Sequence, residues 1–230
     1  MKEKCSYGNL TIVSIGLKND EDLRDTYRSI KGVLDSGAKW NLILSSCAET
    51  LGDIAYNKLV VGRDTSLYNA LNIGMKTVDT EYFMFLHCGD CIMPNKFEEF
   101  WLIKANVDLN LGGAMIGKRR HLSRRWRPWM LSVYVQPPHL PILYKTEMVK
   151  NVSFREDIKV VADYYMVKSL FKRKLTWEHS DVTFIRMNEG GLTTSGVKSI
   201  LIITLNFFRV DGMRALILAP LRVLIKRLLK

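Results

Sequence analysis

The sequence lacks an apolar segment long enough to span a bilayer. Its most apolar stretches lie near the C-terminus, at 199–208 and 215–229, and charged residues and a proline interrupt them. Neither stretch reaches the roughly 18–20 uncharged residues of a transmembrane helix. Residues 1–7 are polar and no apolar core follows them, so the sequence predicts no secretory signal peptide. These absences predict a protein that acts in the cytoplasm and does not cross the membrane.

Cysteine is scarce, and the four cysteines are Cys5, Cys47, Cys88 and Cys91. Free thiols are expected in a reducing cytoplasm. The last two form a C-x-x-C pattern, which leaves a redox pair or part of a zinc site open as interpretations. A redox pair needs a helix that starts after the first cysteine, and a zinc site needs two further ligands at suitable spacing. Neither is evident, so incidental small residues in a tight loop are the favoured explanation.

Acidic residues are missing from two stretches. Residues 118–128 contain no acid, and residues 199–230 contain only Asp211. Together these stretches account for the net charge of +11, so the rest of the chain is balanced. A general nucleic-acid binder would be basic more uniformly, so no nucleic-acid partner is expected. The basic residues are Lys118, Arg119, Arg120, Arg124, Arg125 and Arg127, then Arg209, Arg214, Arg222, Lys226, Arg227 and Lys230.

Strand and helix patterns alternate over the first half of the chain. A length of 230 residues with 47% hydrophobic residues suits one α/β domain with appendages. Apolar runs predict strands at 10–15, 40–44, 59–61 and 82–86. Helical spacing predicts helices at 23–34, at 66–75 and from Pro94 onward. This alternation predicts a βαβ-type sheet with a ligand crevice at the carboxyl ends of its strands.

The second half of the chain is less regular. It suggests a short strand at 114–117, apolar runs at 131–135 and 141–144, a helix at 159–171 and a last strand at 181–187. The composition then becomes apolar and basic. We therefore predict a domain over residues 1–198 and a C-terminal amphipathic helical tail over residues 199–230.

Two aspartates are candidates for chemistry. Asp90 follows the apolar strand 82–86, and it could either hold a divalent metal that bridges phosphates or cap the helix that starts near Pro94. Asp163 follows three apolar residues inside the predicted helix 159–171. It could either take the proton of an acceptor hydroxyl or serve as a helix N-cap. Sequence alone leaves both pairs of alternatives open.

Five segments, in order, resemble family 2 glycosyltransferases with the GT-A fold. They are 11–14, 64–74, 83–90, 139–145 and 161–165, and they place the resemblance over roughly residues 10–192. Segment 64–74, with Asp64, Tyr68, Asn72 and Gly74, is the most specific. The chain is most similar to the bacterial branch that builds O-antigen, capsule and colanic acid.

The resemblance implies a three-layer GT-A fold with a mixed, mostly parallel central sheet. It implies an inverting transfer of a sugar from a UDP-, GDP- or dTDP-linked donor to a glycan acceptor, and Asp163 as the catalytic base. Asp90 and His139 would hold Mn²⁺ or Mg²⁺, and Tyr164, Gly190 and Gly191 would contact the acceptor or a phosphate. The implied donor contacts are Ser14, Ser45, Asp64, Tyr68, Asn72, His87, Gly89 and Asp90.

The chain departs from the family pattern at two places. The D-x-D pattern is incomplete, because His87 and Gly89 stand before Asp90 where a second acid is usual. A lone carboxylate would leave the metal held mainly by phosphates and water. Ser45 stands where the family usually has an aspartate that grips the base, and Glu49 is the alternative for that role. His87 and His139 also suit purely structural roles.

The two basic stretches suggest an anionic partner. Arg119 and Arg120 suit a phosphate on the donor or on a lipid-linked acceptor. Trp126 and Trp129 suit a membrane interface, and a solvated loop is the alternative. Arg222 and Lys226 lie on the basic face of an amphipathic tail, which suits the inner face of the plasma membrane. A tail packed on the domain or in a homodimer is the other interpretation.

Two further functions stay open at this level. A sugar nucleotidyltransferase would need a glycine-rich, lysine-bearing phosphate loop, and residues 14–18 are a poor version of one. A membrane-associated GT-A module that has lost activity would also be consistent with the missing first acid.

Overall fold

The computed structural model describes residues 5–16, 20–45, 52, 54–117, 119–122, 126–158, 160–188, 197–218 and 221. The strands are β1 (Leu10–Gly16), β2 (Lys39–Leu44), β3 (Lys58–Val61), β4 (Tyr82–Phe85), β5 (Cys91–Ile92), β6 (Leu109–Ile116), β7 (Arg119–Leu122), β8 (Ile142–Lys145) and β9 (Trp177–Met187). The helices are α1 (Asp20–Leu34), α2 (Leu67–Lys76), α3 (Pro94–Ile103), α4 (Thr146–Val149), α5 (Ala162–Lys172) and α6 (Val197–Asp211), with a 3₁₀ helix at Pro128–Val133.

One mixed sheet of nine strands organises the described residues. Its order is β3-β2-β1-β4-β8-β6-β9-β5, and β7 pairs with β6. The four strands from β3 to β4 are all parallel, and β9 is parallel to β6. β8 runs antiparallel to both β4 and β6. The carboxyl ends of β1, β2 and β4 therefore lie at one edge, as the strand and helix pattern predicts.

Helices cover the two faces of the parallel half. Ser14 and Trp40 point toward α1, where the Trp40 ring stacks on Tyr27 with centroids 5.6 Å apart. On the opposite face α2 approaches so closely that a Cβ on Gly74 would lie 2.5 Å from Cγ1 of Val13. Because successive residues of a strand face opposite sides, α1 and α2 lie on different faces. The three-layer GT-A architecture is confirmed.

Two strands in the second half of the chain, β6 and β9, begin earlier than the sequence predicts. β6 begins at Leu109, and β9 begins at Trp177. The start of β6 is obscured by Asn110, a buried polar residue whose side chain bonds to the backbone N–H and C=O of Ala105 at 2.8 and 3.1 Å. Two glycines, at 112 and 113, further weaken the apolar pattern of this strand.

Gly112 lies against the ring of Phe184 in the core. A Cβ on Gly112 would lie 2.3 Å from Cε1 of Phe184, which is fully buried and stacks on Phe100 with centroids 4.4 Å apart. We expect Gly112→Ala to lower the free energy of unfolding by about 1–3 kcal/mol, because the rings must move in a packed core. Urea unfolding measures this. Gly32→Ala in α1 is the control, because its Cβ meets nothing within 4 Å, and equal stability of the two variants would contradict the packing.

The tail packs on the domain along one face. The predicted boundary at residue 198 falls inside the first turn of α6. Phe207 is buried, and its ring centroid lies 4.2 Å from that of Tyr134 and 5.0 Å from that of Tyr164. Asp211 accepts a hydrogen bond from the Tyr165 hydroxyl at 3.1 Å. Among the described residues, no helix has both the length and the apolar character needed to cross a bilayer.

Candidate active site

The loop after β4 is held by a threonine of α1. The Gly89 N–H donates to Oγ1 of Thr26 at 2.9 Å, and that hydroxyl donates to the Asp90 carbonyl at 2.8 Å. Gly89 has a φ of 95°, and a Cβ there would lie 3.2 Å from the carboxyl of Asp22. Positive φ and this close approach together favour glycine. The sequence analysis did not predict a role for Thr26. A threonine among the inward-facing apolar residues of α1 could have indicated one.

Asp90 is buried at the bottom of this loop. The residue is 7% exposed, and its Oδ1 accepts a hydrogen bond from the Asn188 N–H at 2.9 Å. Burial raises the pKa of Asp90 to about 6, although the Asn188 bond opposes the shift and the Asp22 carboxylate adds to it. The capping alternative is wrong, because Met93 is the N-cap of α3 and makes no side-chain capping bond. A cation beside Asp90 would stabilise its charged form.

Asp163 lies in the first turn of α5 and is accessible. Val161 is the N-cap, so the alternative that Asp163 caps the helix is wrong. Oδ2 of Asp163 accepts a hydrogen bond from Nε2 of Gln136 and lies 3.7 Å from Nδ1 of His139. The side chains of Asp163 and His139 are each 23% exposed. Gln136 was not predicted, although it lies three positions before the predicted His139.

The backbone before Asp163 is strained. Val161 has a φ of 86°, in the left-handed region that β-branched residues avoid. Such a conformation costs about 1–3 kcal/mol and is found most often at functional sites. Burial raises the pKa of Tyr68, and the nearby backbone N–H groups of Ala162 and Asp163 oppose that shift. Tyr68 is 8% exposed, so it positions the start of α5 rather than presenting a broad surface to a donor.

Two histidines connect the two aspartates. The ring centroids of His87 and His139 lie 5.8 Å apart, with His139 next to Asp163 and the His87 carbonyl accepting from the Asp90 N–H at 3.0 Å. Burial lowers the pKa of His87 to about 3, and the nearby His139 adds to the effect. Burial also lowers the pKa of His139, although Asp163 opposes it. Both rings are therefore neutral at pH 7.

Among the described residues, none forms a hydrogen bond with Nδ1 of His87, which is buried. Buried polar atoms are nearly always satisfied, so an unsatisfied one within this cluster indicates a candidate ligand position. The predicted residues Gly89, Asp90, His87, His139 and Asp163 are thus brought together by the fold.

Ser45 and Asp64 form a second polar pair, just beyond the ends of β2 and β3. Oγ of Ser45 donates to Oδ2 of Asp64 at 2.6 Å, and Oδ1 of Asp64 is buried without a partner among the described residues. Both residues lie at the edge of the sheet where the parallel strands end, as the sequence predicts. Glu49, the alternative for base contact, lies outside the described residues.

The structure corrects the predicted donor contacts at Ser14 and Asn72. Ser14 is 0% exposed and its Oγ accepts from Nε1 of Trp40 at 2.8 Å, so a donor has no access to it. Asn72 is buried, accepting from the Phe154 N–H at 2.8 Å and donating to the Phe154 carbonyl at 2.9 Å. It also donates to Oε1 of Glu156 at 2.7 Å. Asn72 therefore fastens the loop before α5.

The structure also corrects the predicted acceptor contact at Tyr164 and the predicted membrane contact at Trp126. Tyr164 is 1% exposed and its hydroxyl donates to the Leu131 carbonyl, so the side chain is not open to an acceptor. Trp126 is 2% exposed, and its Nε1 donates to the Val135 carbonyl at 2.9 Å. It is a core residue and not a membrane contact. Trp129, by contrast, is 59% exposed.

Several predicted residues cannot be placed in the site. Arg119 and Arg120 belong to β7, whose backbone alone is described. Gly190, Gly191, Arg222 and Lys226 lie outside the described residues.

The metal prediction has partial support in the donor set. Within the described ranges, no three His, Cys, Asp or Glu residues are grouped so as to hold a metal ion. Asp90 and His139 therefore do not form a complete protein site. A hard cation that enters with a diphosphate takes most of its ligands from phosphate and water and needs one or two carboxylates from the protein. Asp90 could provide one such carboxylate, because it lies just beyond the carboxyl end of β4.

Comparison with solved structures shows the same fold in glycosyltransferases. TarS of S. aureus in complex with UDP-GlcNAc matches with a TM-score of 0.61 and 10% identity, covering 90% of this chain and 68% of that chain. A mannosyltransferase from Pyrobaculum calidifontis in complex with GDP-Man and Mn²⁺ has a TM-score of 0.60 and 11% identity, covering 88% and 64%. Glucosyl-3-phosphoglycerate synthase from Mycobacterium tuberculosis with Mg²⁺ and UDP has a TM-score of 0.58 and 13% identity, covering 88% and 79%.

These similarities confirm the GT-A fold. Because the sequence identities are low, they show the fold alone and not the activity. The chain spans 41% of a longer TarS chain. No protein-family model matches this chain. No curated protein sequence matches it significantly.

Proposed function

We propose that the chain is an inverting family 2 glycosyltransferase that moves a sugar from a nucleotide-sugar donor to a hydroxyl of a glycan acceptor. The observation that carries this proposal is the position of Asp163. It is an accessible carboxylate at a strained helix start, and His139 and His87 connect it to the loop of Asp90. Inversion needs one base near the acceptor hydroxyl, and Asp163 is the accessible acid of this cluster.

The donor would lie along the sheet edge. Ser45 and Asp64, with the unpartnered Oδ1 of Asp64, are suited to bind the nucleoside, and Asp90 is suited to the diphosphate. Mn²⁺ or Mg²⁺ bound there would offset the charge of the departing nucleoside diphosphate. The structural neighbours that carry UDP, UDP-GlcNAc and GDP-Man support this donor class.

The described residues suggest how the base is prepared. The hydrogen bond from Gln136 and the nearby His139 fix the Asp163 carboxylate, and Tyr68 fixes the helix that bears it. Burial lowers the pKa of His139, so the ring beside the Asp163 carboxylate adds no fixed positive charge at pH 7. The unpartnered Nδ1 of His87 provides a further polar contact to the donor or its sugar.

The acceptor is proposed to be lipid-linked, with the protein peripheral at the inner face of the plasma membrane, as in bacterial surface polysaccharide synthesis. The exposed face of α6 supports this: Leu201, Leu205 and Phe208 are 59%, 47% and 38% exposed. Trp129 is exposed on the 3₁₀ segment that lies beside α5. Exposed apolar side chains next to a basic tail suit an anionic interface.

Charge placed on this face should weaken membrane binding. We expect Leu205→Glu to lower binding to vesicles with anionic lipid about tenfold, because a buried leucine contributes roughly 1.5–3 kcal/mol. Co-sedimentation at low and high salt measures this. Leu102→Glu on α3 is the control, since Leu102 is 69% exposed but lies on another helix. If Leu205→Glu instead dissociates a dimer and leaves vesicle binding intact, the face is an interface between copies.

A thermal-shift panel tests the proposed donor class. UDP, GDP, dTDP, their sugar conjugates, nucleoside triphosphates and sugar phosphates are added with and without Mn²⁺, and a ligand that binds the native state raises Tm by mass action. We expect one nucleotide to stabilise the protein, and its sugar conjugate to do so more strongly with Mn²⁺. A panel in which only nucleoside triphosphates or sugar phosphates stabilise the protein would favour the nucleotidyltransferase instead.

A further inference from the structure

A cavity that shares no lining residue with the cluster of Asp90 and Asp163 lies beside helix α6. Its volume is about 260 Å³, and it opens between the loop before α5 and helix α6. The residues that line it are Arg155, Asp157, Ile158, Asn206, Arg209 and Val210. Two arginines and one carboxylate give this lining a formal charge of +1, which favours an anion.

Arg155 is held in place and Arg209 is available. Asp157 accepts hydrogen bonds from both Nε and Nη2 of Arg155, the first at 3.1 Å, and the guanidinium carbon of Arg155 lies 5.7 Å from the centroid of the Tyr165 ring. The hydrogen bond to Asp157 raises the pKa of Arg155, which therefore remains charged. Arg209 is exposed, and the described part of the chain provides it with no ion-pair partner. Arg209 can therefore offer its guanidinium fork to a phosphate group, and the fixed Arg155 adds positive charge to the same cavity.

The cavity borders the exposed apolar face of α6. Asn206, Arg209 and Val210 are spaced as i, i+3 and i+4, so they share one side of the helix. The adjacent exposed side and the core side are both apolar. The exposed side holds Leu201, Leu205 and Phe208, and the core side holds Ile203 and Phe207. The side of α6 that lines the cavity therefore lies between its core side and its exposed apolar side. A phosphate bound in the cavity would have an apolar surface next to it, which suits an amphiphile with a phosphate at the end of an apolar chain.

The loop that lines the cavity leads directly to the proposed base. Its start is fixed by Asn72, which bonds to Phe154 and to Glu156. Its end passes through Val161 into α5 and Asp163. A phosphate bound at the cavity would therefore hold its carrier beside the helix that bears Asp163.

We propose that this cavity binds a phosphate group of the acceptor, with the apolar chain of that acceptor lying along Leu201, Leu205 and Phe208. This proposal rests on the proposed transferase function and names the class of its acceptor, an amphiphilic phosphate. It assigns the phosphate contact to Arg155 and Arg209.

Arg209→Gln tests this assignment in the full chain. One arm measures binding to vesicles that contain phosphatidic acid, compared with phosphatidylserine vesicles of matched surface charge. A second arm measures binding of inorganic pyrophosphate by calorimetry. The control is Arg214→Gln, which removes the same charge from an exposed position that does not line the cavity. Both variants are at exposed positions, so the fold should be retained, and circular dichroism checks this.

We expect Arg209→Gln to weaken binding to phosphatidic acid vesicles about tenfold more than Arg214→Gln, because charge-assisted hydrogen bonds to phosphate are lost. An excess loss in the vesicle arm indicates a lipid phosphate and supports the proposal, whereas an excess loss confined to pyrophosphate indicates a soluble phosphate and overturns the amphiphilic acceptor. Equal losses in the two variants in both arms would overturn the proposal. No nucleotide sugar is present, so the outcome is independent of whether the chain transfers sugar.

Discussion

Asp163→Asn should abolish sugar transfer while leaving donor binding nearly unchanged. Asparagine has the shape of aspartate and can still accept the hydrogen bond from Gln136. It cannot take a proton from the acceptor hydroxyl. General base catalysis typically contributes 10²–10⁴-fold, so we expect the transfer rate to fall by about that factor. Transfer rate and donor Kd, measured on the same preparation, separate the two effects.

The control for this variant is Asp35→Asn. Asp35 is an exposed acid that pairs with Lys31 at 3.1 Å at the end of α1, remote in sequence from the cluster. Its replacement removes one carboxylate and should leave the transfer rate unchanged. Loss of donor affinity in Asp163→Asn with an intact fold would place Asp163 in the donor subsite instead.

Asp90→Asn should weaken donor binding about tenfold or more, and only when a divalent metal is present. Asparagine retains an oxygen for the Asn188 N–H, so the loop should keep its structure, whereas Asp90→Ala would leave that donor unpaired. The lost negative charge removes a ligand for the cation that accompanies the diphosphate. Donor Kd, measured with Mn²⁺ and then with EDTA, reveals the dependence. In EDTA the wild type and Asp90→Asn should bind alike.

Asp64→Asn provides the matched comparison. Asp64 lies just beyond the end of β3, where it pairs with Ser45 and is proposed to bind the nucleoside. Its replacement should weaken donor binding to the same extent with and without metal. If EDTA leaves wild-type donor affinity untouched, the metal role of Asp90 is wrong, and basic side chains must then offset the leaving-group charge.

The parallel half of the sheet could be predicted because each apolar run in the sequence there corresponds to a strand that the fold buries. β1, β2 and β4 are buried on both faces, so their apolar runs are continuous and begin and end close to the observed bounds. Ser66 and Pro94 marked the starts of α2 and α3 correctly. The start of β6 was hidden, because Asn110 is buried by bonds to the Ala105 backbone that no periodicity reveals.

The residues of the site were predicted best where they lie on loops at strand ends and at the start of α5. The fold brings four of them, which are far apart in sequence, into one cluster: His87, Asp90, His139 and Asp163. A motif shows which residue types are present but not which way each side chain faces. Ser14 and Asn72 therefore matched a pattern while their side chains serve the core.

The residues that the sequence analysis missed are polar residues that position the site residues by hydrogen bonds. Thr26 holds the Asp90 loop from α1, and Gln136 holds the Asp163 carboxylate. Both contacts join segments whose proximity only the folded sheet creates. Glu156 is a similar case, since two asparagines of α2 donate hydrogen bonds to it, at 3.0 and 2.7 Å.

The anomeric configuration of the released sugar tests the central claim most directly. The nucleotide sugar selected by thermal shift is incubated with the protein, water acts as the acceptor, and proton NMR records the sugar before its anomers equilibrate. We predict that the wild type releases the sugar with inverted configuration and that Asp163→Asn does so at least about 100-fold more slowly. Release with retained configuration, or an unchanged rate in Asp163→Asn, would contradict the assignment of Asp163 as the base of an inverting transfer.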